Sequence, residues 1–179
     1  MPYNQLGRIV HDADAHIMEP PTWLRDHADP SIRDRVPTLD LSGGNELKQT
    51  GSVDEQLADL DAAFQRLTAR HRSDAYVAAE AAEIMLRKNF AATGAFLPAD
   101  RPRALDLLGF ESQLMFNTFH NGRLFQWEHS GDLELAYGAA RAHNRGMVEF
   151  CSVDARLLPT CYVPLADTAA SIARFSAGA

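Results

Sequence analysis

No stretch of this chain approaches the roughly 20 consecutive apolar residues that a membrane-spanning helix requires. Runs of Lys and Arg are missing too. The 17 basic and 24 acidic side chains are interspersed and leave a formal net charge of -7, so neither nucleic acid nor an anionic membrane is an expected partner. The opening decapeptide MPYNQLGRIV lacks the apolar centre of a signal peptide, which makes a cytoplasmic location the expectation. Only two cysteines occur, Cys151 and Cys161, at a spacing that fits no common zinc motif; both are read as buried thiols in a reducing compartment, not as a disulfide. "SGGNE" lacks the spacing and the Lys of a phosphate loop, and no serine sits in a G-x-S-x-G context. Nucleophilic Ser or Cys catalysis therefore has no support.

What is present is enough for a core. With 179 residues, 46% of them hydrophobic, the chain reads as one domain over 1–179. "RIVHDA" (8–13) reads as a short strand. A Pro- and Gly-rich segment follows, "PPTWLRDHADPSIRDRVPTLDLSGGNELKQTG", with one short helix expected around Thr22 to His27; its length suggests a functional loop or an insertion. In "SVDEQLADLDAAFQRLTARH", Leu57, Leu60, Phe64 and Leu67 recur three or four apart and predict an amphipathic helix. The Ala-rich "SDAYVAAEAAEIMLRKNF" predicts a second, with Ser73 as its N-cap. Residues 20–97 thus look like a loop and helical insertion after the first strand.

The second half is more regular. "ADRPRALDLLGF" has Asp100 near a cap, Pro102 in the first turn and Gly109 as a stop, and predicts a short helix. "ESQLMFNTF" reads as a buried strand. A long helix is expected over "GDLELAYGAARAHNRGMVEFCSVD", with an apolar stripe through Ala136, Ala139, Ala140, His143, Met147 and Phe150. "RLLPTCYVPL" reads as a third strand and "ADTAASIARFSAGA" as the start of another helix. Strands alternating with helices imply an α/β fold with parallel strands.

The chemistry concentrates in "HDADAHIMEP" (11–20). Asp12, Asp14 and His16 occupy every second position, which in a strand puts them on one face with Cα atoms ~6.6 Å apart. Asp14 and His16 could together grip a divalent cation; a polar strand end that caps a loop is the plainer alternative. Asp12, one pleat earlier, reads as hydrogen-bonded structure, and His11 as packed under a helix. His120 follows the second strand and either faces a site or is solvated. His129 falls in a polar loop, and His143 on an apolar stripe is read as a satisfied buried histidine. Trp23 and Trp127 either line a cleft or anchor loops to the core.

Three stretches in this order, "DADAHIMEPPTWL", "RALDLLGFESQLMFNTF" and "ARAHNRGMVEFCSVDARLLPTCYVPLADTAASI", resemble the amidohydrolase-related family of metal-dependent enzymes. This branch includes aminocarboxymuconate-semialdehyde decarboxylase and the dihydroxybenzoate-type decarboxylases. The resemblance implies a (β/α)8 TIM barrel with metal at the C-terminal strand ends. It implies that Asp14 and His16 are the ligand pair of the first strand, with an acidic residue where many members have His. Glu19 and Pro20 match the residues that follow that pair. Asn117, Thr118 and Pro164 fall at strand ends that would face the site, and Asn144 matches a helical Asn of structural character. On this basis Glu19, Asn117 and His120 are candidate substrate-binding residues.

A full barrel takes about 250 residues, and this chain holds about three β/α units of one. The resemblance puts further metal ligands and the catalytic acid or base on later strands, so the catalytic residues themselves are unassigned. The implied activity is that of a metal-dependent hydrolase or non-oxidative decarboxylase acting on a small carboxylated substrate with Zn2+ or Mn2+. A half-barrel would leave edges and apolar faces open, which predicts self-association into a homo-oligomer or pairing with a missing C-terminal half. The competing expectation is a catalytically inactive fragment, or a half-barrel completed by a partner chain.

Overall fold

The computed structural model describes Tyr3, residues 7–39 and residues 53–167. Three strands form one parallel sheet in the order β1-β2-β3: β1 (His11–His16), β2 (Ser112–Phe116) and β3 (Leu157–Pro159). Seven α-helices accompany them among the described residues. Between β1 and β2 lie α1 (Trp23–His27), α2 (Pro30–Arg33), α3 (Val53–His71), α4 (Asp74–Glu83) and α5 (Arg101–Leu108). Between β2 and β3 lie α6 (Asn121–Glu128) and α7 (Leu133–Cys151).

The (β/α)8 expectation is corrected here. The sheet is small and open: β1 and β3 each pair with β2 only, so among the described residues nothing closes it into a barrel or a defined part of one. The molecule is α/β with an open three-stranded sheet. "RLLPTCYVPL" contributes three strand residues, not ten, because Pro159 and Pro164 lack the N–H a ladder needs. The first strand begins three residues later than expected and runs through His16.

One face of the sheet carries the core. Ala15, Met115 and Leu157 pack there with Leu105 of α5, with Met147, Phe150 and Cys151 of α7, and with Trp23, Leu24 and Ile32 from the loop region. Small residues on α7 allow close approach: a Cβ at Gly138 would strike Ile32, and one at Gly146 would strike the Trp23 ring. The predicted stripe of α7 is buried throughout. The opposite face bears Ser112, Leu114 and Phe116, all half-buried, and Leu158, 47% exposed.

Local signals account for several helix ends, although Asp100, expected near a cap of α5, makes no side-chain cap bond. Asp132 caps α7 by accepting from the Leu135 amide at 3.1 Å, and Ser73 caps α4 by accepting from the Tyr76 amide at 3.3 Å. Gly109 ends α5 in the left-handed region (φ 77°), donating to Leu105 O. α4 stops at Glu83, short of the expected Phe90. Arg87 folds back instead, its guanidinium 3.6 Å from the Tyr76 ring centroid and donating to Tyr76 O, and Asn89 takes φ 51°. In α3, Leu60 and Leu67 are buried as expected; the Leu57 side chain and the helix expected from residue 168 onward lie outside the described residues. No helix among the described residues is long and apolar enough to cross a membrane.

Two further expectations are corrected. Cys151 is buried, and burial pushes its thiol up to about 11, but Cys161 is exposed; both are free. His11 is exposed at the sheet edge, 2.8 Å from the Ser112 hydroxyl, and lies under no helix, because the bare face of the sheet is the one it projects from.

Candidate functional site at the strand ends

The pairing of β1 with β2 slips between Asp12 and Ala15. Three steps on β1 match two on β2, from Gln113 to Met115. This bulge breaks the simple alternation read from the sequence. Asp12 falls on the core side, where it accepts from Gln113 Nε2 at 2.9 Å and from the Asp14 amide at 3.0 Å. Asp14 and His16 emerge on the other side, so Asp12 does not share their face. The bulge re-aims the two residues with metal-binding chemistry and holds the third back.

Asp14 Oδ1 lies 3.2 Å from His16 Nε2, with the Asp14 side chain 86% and the His16 side chain 40% exposed. On the other side of the ring, His16 Nδ1 is 3.0 Å from the Asn117 carbonyl oxygen and 3.4 Å from Thr118 Oγ1. That hydroxyl donates to Ile17 O at 2.6 Å, so it faces His16 as an acceptor. The ring also stacks on Phe116, with centroids 5.7 Å apart. A neutral imidazole has one donor nitrogen. When Nδ1 donates to Asn117, Nε2 turns a lone pair toward a carboxylate oxygen, an arrangement that needs a proton or a cation between the two.

Glu19 sits behind this pair and is fully buried. Its carboxylate accepts from the amides of Thr118 (2.9 Å), Phe119 (3.1 Å) and His120 (3.3 Å), and from His120 Nδ1 (3.1 Å). Burial alone would raise the Glu19 carboxyl, but the hydrogen bond and charge of His120, with the Thr118 amide, hold it below the ordinary range. Glu19 therefore fixes the segment from Asn117 to His120, and that segment in turn holds His16. The same negative charge sits at the N-terminal end of α6, where the helix dipole favours it.

His120 is fully buried, so of its two sequence readings the solvated loop does not apply: Glu19 draws it inward. Trp23 packs 5.7 Å from both His120 and His143, which anchors the loop to the core. His143 is buried as expected, but it is not satisfied as expected, because its Nδ1 finds no partner; burial pushes it down to about 4. His120 Nε2, His143 Nδ1 and Asn117 Nδ2 are buried without a hydrogen-bond partner. Asn144 is structural: its side chain donates to Tyr162 O and accepts from the Tyr162 amide. Pro164 is buried near Tyr137, which donates to its carbonyl, and is not at the end of β3.

The sequence reading missed two contributors. α6 carries few periodic apolar residues and Gly122 in its first turn, and its N-cap His120 makes no side-chain cap bond; the charge at its start comes from Glu19, a hundred residues earlier. Arg101 is the other. From α5 its guanidinium donates to His16 O (3.2 Å), Gly94 O (3.3 Å) and Gln113 Oε1 (2.9 Å). Gln113 passes that bond on to Asp12, so a buried Asp12–Gln113–Arg101 relay ends on the backbone of His16.

As a metal centre the arrangement is one arm. Asp and His are suitable ligands for Zn2+ or Mn2+, but zinc sites use three or four protein donors. Among the described residues, no group of three or more His, Cys, Asp or Glu is arranged to hold an ion. No protein-family profile matches the chain, and no curated protein or solved structure matches it either.

Proposed function

We propose that Asp14 and His16 supply two ligands to a divalent cation, Zn2+ or Mn2+, at the C-terminal end of β1, and that this centre serves hydrolysis or decarboxylation of a small carboxylated substrate. One observation carries the reading: both nitrogens of His16 face acceptors, and the open side of the pair faces solvent. The C-terminal edge of a parallel sheet is also where open α/β proteins bind ligands. The choice of reaction rests on the amidohydrolase-related resemblance of the opening motif, not on the fold.

In this reading Asn117 orients His16 through its carbonyl oxygen, as carbonyls behind metal-bound histidines do. Glu19 and His120 position the Asn117–His120 segment from below, and Arg101 pins the His16 backbone. A bound ion would polarise the substrate oxygen and acidify a bound water. The remaining coordination positions go to water, substrate or a donor from a second copy of the chain.

Equilibrium dialysis against Zn2+ and Mn2+, with metal quantified per chain, tests this beside an Asp14→Ala, His16→Ala double variant. The expected result is up to one ion per chain, held weakly and lost in the variant. Binding that is the same in both proteins, or absent from both, overturns the proposal.

A further inference from the structure

A cleft of about 190 Å3 opens between the C-terminal end of α4 and helix α5. Its walls include three basic side chains, Arg87, Lys88 and Arg101, and no acidic one; Ile84, Thr93 and Leu108 are among the residues that complete it. Charge of one sign around a partly apolar hollow calls for a counter-charge.

The local acids do not supply all of it. Glu83 pairs with Arg87 at 3.1 Å, and Glu80 is taken by Arg103 at 2.7 Å and by the Thr93 hydroxyl at 2.7 Å. Arg101 hydrogen-bonds no carboxylate: its partners are two backbone oxygens, Gln113 Oε1 and, at 3.6 Å, Met115 Sδ, with the charge of Asp12 acting on it from beyond Gln113. Burial pushes it down to about 10, which leaves it cationic at neutral pH. Arg87 is the more direct pointer. Its side chain is 9% exposed, Nε and Nη2 are engaged by Glu83 and Tyr76 O, and Nη1 is buried with no partner. A buried guanidinium N–H without an acceptor is costly, and an anion in the cleft would remove that cost.

We infer that this cleft binds a small organic carboxylate, its anionic head taken by Arg87 and Lys88 and its short hydrocarbon part by Ile84 and Leu108. The volume limits the ligand to a few heavy atoms, well under the 300 Å3 or more of typical drug-sized pockets (about 300–1,000 Å3). The apolar walls distinguish it from a site for a bare oxyanion. Nothing in this inference depends on metal at Asp14 and His16.

Butyrate is the probe, titrated into the full chain and followed by two-dimensional NMR and calorimetry, with n-butanol and inorganic phosphate as companions. Saturable butyrate binding is expected, with amide shifts clustered at Thr93 and around Ile84 and Leu108, and no saturable binding of n-butanol. Lys88→Met removes an exposed charge without disturbing the core and should weaken binding about tenfold; Arg87→Lys keeps a charge but loses the Nη1 donor and should weaken it similarly. Butyrate and n-butanol binding alike, or both variants binding as the parent does, overturns the inference. Phosphate binding as tightly as butyrate overturns the assignment of an organic ligand.

Discussion

Two carboxylate–histidine pairs, Asp14 with His16 and Glu19 with His120, have opposite surroundings. Asp14 and His16 meet at 3.2 Å in the open, and Glu19 and His120 meet at 3.1 Å with no exposure at all. The chemistry of the groups is the same. What differs is whether anything else can reach them. The exposed pair faces solvent, whereas the buried one commits its carboxylate to three backbone amides. The outer pair is the one proposed to take an ion, and the inner pair holds the segment that carries the Asn117 carbonyl behind His16.

That contrast breaks most sharply in stability. Glu19→Ala leaves His120 and three amides buried without their acceptor and should cost about 3–5 kcal/mol in urea unfolding. A loss under about 1 kcal/mol, the size of a surface pair, would erase the distinction between the two pairs.

Acid titration sharpens the same point through His143, which packs beside Trp23. Burial lowers it to about 4, with Glu19 nearby opposing the shift and His120 adding to it. The unfolded chain takes up a proton near the ordinary value of about 6.5 and the folded one does not until about 4. Stability should therefore fall as pH drops from about 6.5 to 4, by on the order of 3 kcal/mol, and level off below. The contribution of Glu19 runs separately: its depressed carboxyl stabilises above the ordinary carboxylate range and is lost only as pH falls through its lower folded value. Unfolding measured at a series of pH values on His143→Phe should show a shallower first slope, the remainder belonging to His71, which burial also holds below its ordinary value; an unchanged slope would assign it elsewhere.

Gly146→Ala probes the packing that keeps the inner pair sealed. The new methyl would meet the Trp23 ring, which lies against both histidines, and should cost about 1–3 kcal/mol and alter tryptophan fluorescence. An unaltered spectrum with full stability would show the ring free to move. Asp14→Ala should change stability least, by no more than about 0.5 kcal/mol, because the carboxylate is mostly in water.

Much of the scaffold was legible in short-range chemistry. Ser73, Pro102 and Gly109 act where their side chains and dihedral freedom said they would, and the α7 stripe is buried as its spacing implied; the Asp132 cap of α7 was not read from the sequence. The Asp14–His16 pair was legible too, since two residues two apart need little else to meet. Three things were not. The bulge that turns Asp12 away depends on pairing with Gln113 and Met115, which no local pattern states. α6 is held by Glu19 from far along the chain, and Arg101 reaches His16 from α5 through bonds between residues 85 positions apart. The barrel expectation failed for a related reason: a βαβ rhythm predicts parallel strands, but sheet closure is a property of how many strands pair, and among the described residues three do.

The most direct test of the division between the two pairs is to follow the imidazole nitrogens of His16 and His120 by 15N NMR during a zinc titration. The account predicts that Nε2 of His16 shifts or broadens as the ion binds while both nitrogens of His120 hold their positions. A response at His120, or none at His16, would contradict it.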